Sequence, residues 1–233
     1  IRQERCCCWS SNFLGRSRLK IIIPAFNESK TIGEVITNAR NYGQVVVVDD
    51  ASTDDTVAIA KNSGALVLLN TNNLGYEASL IRGLEFAAET VEMSSETIIC
   101  LDADGEHPPD AIPMFEQACR GGSLVIGRRN RFNRWSEYLG AWYAGLCYGI
   151  PDPFCGMRAY NNKFLKQYLS SRFNYNLGFG PLAFAKLSKK QVLSNDIWVS
   201  ARVDESRFGV GMTSNLKLVL SIIKDLCARC GFN

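Results

Sequence analysis

The sequence predicts an α/β fold with a mostly parallel central sheet that helices cover on both faces. Short apolar runs rich in Val and Ile alternate with segments whose apolar residues recur at helical spacing. The runs are continuously apolar, which is typical of parallel strands buried on both faces. Polar or acidic clusters follow three of the runs directly. Ligands bind such sheets beyond the carboxyl ends of the strands, so these clusters predict where a site lies.

Each element in this alternation has its own signal. The strands are short aliphatic or β-branched runs bounded by turn residues, at 20–24, 45–48, 65–69, 97–101 and 124–126. The first helix is predicted to open at Asn27 and to stop at Gly43, and the second to be capped by Ser52 or Thr53. Helical spacing predicts the later helices at 76–91, 112–119, 135–148 and 214–229.

Composition and charge exclude several classes of protein. The 233 residues are 46% hydrophobic, which suits a globular domain and excludes disorder. A net charge of +3 is too small to indicate nucleic acid. No run of 18 apolar residues and no signal peptide is recognised, so no spanning helix is predicted. The nine cysteines, three of them adjacent at 6–8, predict a reducing compartment. The alternative is a zinc ion bound by the adjacent cysteines at 6–8 together with Cys227 and Cys230.

The acidic clusters have a functional and a structural interpretation. Asp102 and Asp104 leave a strand end together, where two carboxylates suit Mg²⁺ or Mn²⁺. The alternative is a capping turn. Asp50 can bind a ribose hydroxyl or the edge of a base, and its alternative role is to cap a helix N-terminus. Glu28 can accept a hydrogen bond from a ribose, and its alternative role is to stabilise the helix dipole in the first turn. The segment 73–75 precedes a predicted helix, and the N-terminus of a helix can bind an anion.

Six motifs in this order resemble glycosyltransferase family 2. The segments 24–28 (PAFNE), 48–56 (VDDASTDDT), 73–75 (NLG) and 102–109 (DADGEHPP) carry the resemblance to the family. The segments 125–129 (VIGRR) and 152–160 (DPFCGMRAY) resemble the polyprenyl-phosphate branch, which includes dolichol-phosphate mannosyltransferases and undecaprenyl-phosphate glucosyltransferases. The resemblance covers about residues 19–225 and implies a GT-A fold, a GDP- or UDP-sugar donor, Mg²⁺ or Mn²⁺, and inversion at the anomeric carbon.

The resemblance also implies roles for individual residues on the donor side. Asp102 and Asp104 match the metal-binding carboxylates, and Asp102 and Ala103 are placed against the donor. Asp50 matches the carboxylate near the nucleoside. The loop of the donor pocket corresponds to Pro24, Ala25 and Glu28.

On the acceptor side, the resemblance implies a polyprenyl phosphate that is bound at the cytoplasmic face of a membrane. Arg129 and Asp152 are predicted to be catalytic, and Arg129 and Arg134 to contact substrate phosphate. Arginine suits phosphate because it forms bidentate pairs, although the arginines at 128–134 are also compatible with a solvated face. The only histidine, His107, is expected to shape its loop rather than to catalyse.

The last helix, 214–229, has two interpretations. It places Leu216, Val219, Leu220, Ile223 and Leu226 on one face. Such a face either packs on the core or lies on a membrane. A single domain over 19–227 is predicted, with a nucleotide-sugar half (19–127), an acceptor half (128–227) and an N-terminal extension (1–18). A membrane-anchoring partner protein is also predicted, because one amphipathic helix binds a bilayer weakly.

Departures from the branch pattern keep other functions open. Glu106 replaces the usual Gln, Cys155 and Met157 replace Ser and Phe, 178–186 lacks the usual Glu, and residues 212–213, following Arg207, replace a Ser-Lys pair. A family 2 enzyme with a polysaccharide acceptor is the first alternative. A sugar-nucleotide-binding module without turnover is the second, although both predicted metal carboxylates are present.

Overall fold

A computed structural model describes residues 19–90, 97–132, 134–173, 176–200 and 212–230. Within these ranges the chain forms seven strands and eight α-helices. The strands are β1 (Leu19–Ala25), β2 (Gln44–Asp49), β3 (Leu66–Leu69), β4 (Thr97–Cys100), β5 (Leu124–Arg129), β6 (Arg158–Asn161) and β7 (Val192–Ile197). The helices are α1 (Ile32–Ala39), α2 (Thr56–Asn62), α3 (Tyr76–Thr90), α4 (Ile112–Gly121), α5 (Trp135–Tyr148), α6 (Asn162–Leu169), α7 (Gly180–Leu187) and α8 (Met212–Cys230).

All seven strands belong to one sheet with the order β3-β2-β1-β4-β6-β5-β7. Strands β3, β2, β1 and β4 are parallel, as are β5 and β7, whereas β6 is antiparallel to both of its neighbours. The prediction of a mostly parallel sheet is therefore confirmed. Because β6 runs backwards and pairs Arg158 with Cys100, the segment before β6 lies at the carboxyl end of β4.

The core lies on both sides of the central strands. The aliphatic side chains of β1 and β2 are almost completely buried, which explains why these strands lack polar alternation. Helix α3 approaches this part of the sheet closely at Gly83, where an added Cβ would lie 2.4 Å from a methyl carbon of Ile22. This close packing fixes where α3 begins relative to β1 and β2.

The structure corrects several predicted elements. The first helix begins at Ile32 rather than at Asn27. Asn27 has a φ of 54°, a left-handed conformation that Asn tolerates, and it lies in the loop after β1. Strands β6 and β7 and helices α6 and α7 were not predicted. The predicted N-terminal extension with its three cysteines, and the segment around Arg207, lie outside the described residues.

Helix α8 packs on the domain through a partly polar face. Asn215, Ile222 and Asp225 are buried, whereas the side chains of four predicted apolar-face residues are 44–56% exposed: Leu216, Leu220, Ile223 and Leu226. The interpretation of these four side chains as core packing is therefore wrong. In the part of the chain that the structure describes, no helix is long and apolar enough to cross a membrane.

Candidate active site

The loops that follow β1 and β2 hold each other in place. The backbone N–H of Asn27 donates to Ser52 Oγ at 2.8 Å, and Asn27 Oδ1 accepts from the backbone N–H of Thr53 at 2.7 Å. The backbone N–H of Glu28 donates to Thr56 Oγ1 at 2.7 Å. The segment that leads into α2 therefore fixes the position of the loop that carries the predicted donor-pocket residue Glu28. Pro24 and Ala25 are the last residues of β1 and are buried, whereas Glu28 is half-buried.

Asp50 organises the start of α3. Its Oδ1 accepts from the backbone N–H of Leu74 and from Asn70 Nδ2, and its Oδ2 accepts from the backbone N–H of Gly75, each at 2.8 Å. Burial acts to raise the pKa of Asp50, but these hydrogen bonds outweigh it and the pKa is lowered. The carboxylate is thus held ionised. Contact between Asp50 and a nucleoside stays a prediction.

Tyr76, the first residue of α3, reaches the predicted metal site. Its hydroxyl donates to Asp102 Oδ1 at 2.7 Å. Burial, and then the negative charge of Asp102, raise the pKa of Tyr76 well above its ordinary value. The phenol therefore stays protonated and acts as a fixed donor. The sequence analysis did not assign a role to Tyr76. The signal that could have indicated one was its position directly after Gly75, at the start of a helix.

His107 shapes the loop that carries both carboxylates. Its Nδ1 accepts from the backbone N–H of Asp102 at 3.1 Å, which assigns the ring proton to Nε2, 3.9 Å from Cys155 Sγ. The ring is buried. These contacts agree with the expectation that His107 sets loop geometry. Asp104 Oδ1 accepts from the backbone N–H of Glu106 at 3.0 Å, which closes the same turn.

The segment between α5 and β6 presses against Asp102. An added Cβ on Gly156 would lie 2.3 Å from Asp102 Oδ2, which is closer than non-bonded Cβ atoms come to their neighbours in real proteins. Only glycine therefore fits beside this carboxylate. Arg158, which was also not assigned in the sequence, holds this segment: its buried guanidinium donates to the carbonyls of Cys155 (2.8 Å from Nε), Pro153 and Leu177.

The two carboxylates at the end of β4 suit a hard divalent cation whose coordination shell is completed by a further ligand, such as a substrate phosphate. Asp102 and Asp104 are half-buried and Ala103 between them is buried. Among the described residues, no group of three or more His, Cys, Asp or Glu side chains is arranged to hold a metal. Mg²⁺ is commonly bound through one or two carboxylates together with substrate phosphates, and two carboxylates are what this site offers.

Arg129 and Asp152 form a buried ion pair. Arg129 Nε lies 2.7 Å from Asp152 Oδ2, and Nη2 lies 3.0 Å from Oδ1. The side chains are 9% and 1% exposed. Burial acts to lower the pKa of Arg129, but the bonds to Asp152 outweigh it and raise the pKa. Glu137 Oε1 lies 3.5 Å from the third guanidinium nitrogen, Nη1. All three nitrogens of Arg129 thus face protein carboxylates.

The other arginines of the cluster also contact protein acceptors. Arg128 pairs with Asp196 at the surface, and Arg131 donates to the carbonyl of Ser200 at 2.8 Å. Arg134 Nη1 lies 3.6 Å from Glu137 Oε1. The cluster is therefore more than a solvated face, because it ties the end of β5 to α5 and to the segment after β7. Phosphate binding by Arg129 and Arg134 stays a prediction.

Comparison with known proteins identifies the family. The family model described as glycosyl transferase family 2 matches residues 20–169, and the chain belongs to this family. A UDP-N-acetylglucosamine–dolichyl-phosphate N-acetylglucosaminyltransferase of Methanococcus voltae is 32% identical over 63% of this chain and 70% of its own length. An undecaprenyl-phosphate mannosyltransferase of Micrococcus luteus is 27% identical over 84% of this chain and 89% of its own length.

The solved structures support the same fold. Glucosyl-3-phosphoglycerate synthase from Mycobacterium tuberculosis, solved with Mn²⁺ and UDP, superposes with a TM-score of 0.70. The sequence identity is 21%, and the match covers 94% of this chain and 82% of that one. The predicted GT-A fold is confirmed. The chain spans 39–50% of the length of three further curated relatives, which is about half.

The bonds of Asp50 predict a pH-dependent stability. Asp50→Asn should lower the free energy of unfolding near pH 7 by about 1–3 kcal/mol, because the amide group leaves at least one of the part-buried N–H donors that Asp50 now binds without its acceptor. The pKa of Asp50 is lowered in the folded state, so its contribution is present above the unfolded value of about 4 and is lost as the pH falls through the folded value. Urea unfolding near pH 7 and near pH 3 measures both.

Asp55→Asn is the matched control for this experiment. Asp55 is exposed, precedes α2 and makes no side-chain capping bond. Its substitution should change the unfolding free energy by less than about 0.5 kcal/mol at either pH. An equal gap between wild type and Asp50→Asn near pH 7 and near pH 3 would contradict the assigned role.

The close approach of Gly156 to Asp102 predicts intolerance of a methyl group. Gly156→Ala should destabilise the domain by about 1–3 kcal/mol, because either the carboxylate or the loop must move. Gly145→Ala is the control: Gly145 lies within α5 and an added Cβ meets nothing within 4 Å, so alanine should be neutral or stabilising by up to about 1 kcal/mol. Thermal unfolding of the two variants compares them, and equal midpoints would refute the contact.

The Arg129–Asp152 pair predicts strong coupling. Arg129→Ala and Asp152→Ala should each cost about 3–5 kcal/mol, since each leaves a buried charge unpaired. The double variant should cost less than the sum, by about 0.5–3 kcal/mol. The exposed pair Arg128 and Asp196 provides a control cycle, with much weaker coupling because solvent screens the two charges. Unfolding free energies from denaturant titration give both couplings, and equal values would rule out the buried pair.

Proposed function

We propose that the chain is a metal-dependent, inverting glycosyltransferase that moves a sugar from a GDP- or UDP-sugar to a polyprenyl phosphate. The observation that carries the proposal is the pair Asp102 and Asp104 at the end of β4, with one carboxylate fixed by Tyr76 and Gly156, in a domain of glycosyl transferase family 2. The names of the Methanococcus and Micrococcus relatives support a polyprenyl-phosphate acceptor.

On the donor side, the proposal assigns the nucleoside to the loops after β1 and β2. Pro24, Ala25 and Glu28 line its pocket, and Asp50 acts near it by fixing the turn before α3. Asp102 and Ala103 lie against the diphosphate, and Asp102 and Asp104 hold Mg²⁺ or Mn²⁺. When bound, the cation screens the negative charge that develops on the leaving diphosphate.

On the acceptor side, the proposal requires no strong general base. A lipid phosphate is already anionic at neutral pH and attacks the anomeric carbon itself. The Arg129–Asp152 pair acts by positioning the segment that touches Asp102, because both side chains are buried in their own ion pair. Arg129 and Arg134 each have a guanidinium nitrogen within 3.6 Å of Glu137, so a phosphate bound there competes with that carboxylate.

The proposal places the domain peripherally at the cytoplasmic face of a membrane, where the acceptor lipid is presented. It treats residues 19–127 as the nucleotide-sugar half and 128–227 as the acceptor half of one domain. The comparisons give no support for a membrane-anchoring partner protein, and the proposal does not include one.

The metal is tested through Asp104. Asp104→Asn should lower transfer of labelled sugar to a short polyprenyl phosphate in detergent by at least about a hundredfold, as should excess chelator. Both UDP- and GDP-sugars are supplied, with Mn²⁺. Asp110→Asn is the control, because Asp110 is an exposed acid six positions further along the chain and should leave transfer unchanged.

The same assay separates the alternative functions. Undiminished transfer by Asp104→Asn would remove the metal from the proposal. Transfer to a soluble polysaccharide with none to the lipid would replace the acceptor. Tight binding of a nucleotide sugar with no transfer to either acceptor would indicate a binding module.

A further inference from the structure

Two parts of the chain that are distant in the sequence touch the two oxygens of Asp102. The hydroxyl of Tyr76, at the start of α3, donates to Oδ1 at 2.7 Å. The backbone of Gly156, before β6, lies so close to Oδ2 that an added Cβ would be 2.3 Å from it. The orientation of this carboxylate therefore depends on how α3 and the segment before β6 are held relative to each other.

One buried guanidinium fixes the segment before β6. Arg158 Nε donates to the carbonyl of Cys155, the residue before Gly156, at 2.8 Å. A terminal nitrogen of the same side chain donates to the carbonyl of Leu177. Arg158 is buried, and a buried charge is tolerated only where hydrogen bonds compensate for the lost water. The positions of Gly156 and Leu177 are therefore linked through Arg158.

Leu177 is also bound from α3. Its backbone N–H donates to Glu77 Oε1 at 3.1 Å, although the two residues are 100 positions apart in the chain. Leu177 is buried, so its N–H requires an acceptor within the protein. Glu77 directly follows Tyr76 in the first turn of α3. The backbone of Leu177 is thus held by an acid of α3 through its N–H and by a base of β6 through its carbonyl.

These contacts form a closed ring that begins and ends at Asp102. The ring leaves Oδ1 and returns to Oδ2 through bonded or touching neighbours, in this order: Tyr76, Glu77, Leu177, Arg158, Cys155 and Gly156. The hydrogen bond from Leu177 to Glu77 is the step at which the ring passes from α3 to the second half of the chain. Breaking that bond opens the ring and releases one side of Asp102 from the other.

We propose that Glu77 is a positioning residue for the cation. By closing the ring, it fixes the orientation of the Asp102 carboxylate and thereby raises the affinity of the site for Mg²⁺ or Mn²⁺. Groups that orient metal ligands without touching the metal commonly matter in this way. The inference rests on the proposed function, because that proposal assigns Asp102 to the metal. Glu77 itself acts through Leu177.

The position of Glu77 has a second, purely local interpretation. An acid in the first turn of a helix interacts favourably with the helix dipole, and Glu77 occupies that turn of α3. The dipole requires the negative charge, whereas the N–H of Leu177 requires only an oxygen acceptor. Glutamine keeps the oxygen and removes the charge, so Glu77→Gln distinguishes the two interpretations.

Mn²⁺ binding by the full chain tests the inference without sugar transfer. Free Mn²⁺ is measured by electron paramagnetic resonance in the presence of UDP or of GDP, and the binding of Mn²⁺ by each nucleotide alone is subtracted. Glu77→Ala should raise the dissociation constant for Mn²⁺ about tenfold, because the Asp102 carboxylate loses its fixed orientation. Glu77→Gln should stay within about twofold of the wild type, because it keeps the acceptor.

Glu85→Ala is the matched control. Glu85 is an exposed acid further along α3, so its substitution removes the same charge from the same helix and should leave the dissociation constant unchanged. A general loss of folded protein would lower the number of Mn²⁺ sites and not their affinity. The dissociation constant therefore separates positioning from a merely structural role, and circular dichroism confirms that each variant is folded.

Hydrogen exchange at the amide of Leu177 tests the contact itself. In the wild type this N–H is bonded to Glu77 in a buried residue, so its exchange should be slow. The exchange should be at least about fivefold faster in Glu77→Ala, because a hydrogen bond is lost, and close to wild type in Glu77→Gln. Equal rates in the wild type and in Glu77→Ala would contradict the ring.

Four results of the Mn²⁺ titration would overturn the inference. The first is an unchanged dissociation constant in Glu77→Ala. The second is an equal increase in Glu77→Ala and Glu77→Gln, which would assign the effect to the charge. The third is an equal increase in Glu85→Ala and Glu77→Ala. The fourth is no Mn²⁺ bound by the wild type with either nucleotide.

The inference and the proposed function fail separately. Transfer to polyprenyl phosphate that requires Mn²⁺, with an unchanged dissociation constant in Glu77→Ala, would leave the function and remove the role of Glu77. Mn²⁺ binding that Glu77→Ala weakens and Glu77→Gln preserves, with no transfer to lipid phosphate, would leave the role of Glu77 and remove the function.

Discussion

The Asp50 carboxylate is the contact on which the geometry of the candidate site depends. It accepts hydrogen bonds from two consecutive backbone N–H groups, and those bonds fix the residue that follows, Tyr76. Tyr76 in turn donates to Asp102, and Glu77, one position further on, accepts from the backbone N–H of Leu177 at 3.1 Å. One buried charge at the end of β2 therefore sets the position of a carboxylate at the end of β4 and of a loop in the second half of the chain.

The antiparallel strand β6 explains how the two halves come to share one site. A parallel strand in this place would begin at the far edge of the sheet, so the segment before it would lie away from Asp102. Because β6 runs the other way, Gly156 reaches Asp102, and Arg158 secures the segment by donating to three carbonyls. The proposed donor and acceptor halves therefore meet beside Asp102, at the carboxyl end of β4, and do not form separate lobes.

The sequence predicts the elements whose signal is local. Continuous apolar runs identified β1 to β5, and the acidic residues that follow some of them lie at the carboxyl ends of the strands as expected. Both signals depend only on neighbours in the chain. Strands β6 (RAYN) and β7 (VLSNDI) mix polar with apolar residues, so neither has a continuous apolar run to recognise. The contacts of Tyr76 and Gly156 depend on strand pairing. Helical spacing located α8 but did not say which side faces the domain, and that side is partly polar, with Asn215, Ile222 and Asp225 buried.

The buried Asp225 has a mechanical consequence. Two tyrosine hydroxyls of α5 converge on one of its oxygens, so α8 has one register on α5. Sliding α8 by a turn would remove both bonds from a fully buried carboxylate, which is costly. The buried contact therefore specifies how the two helices pack against each other. The first turn of α5, where Glu137 meets Arg129, connects this pair of helices to the ion pair that Arg129 forms with Asp152.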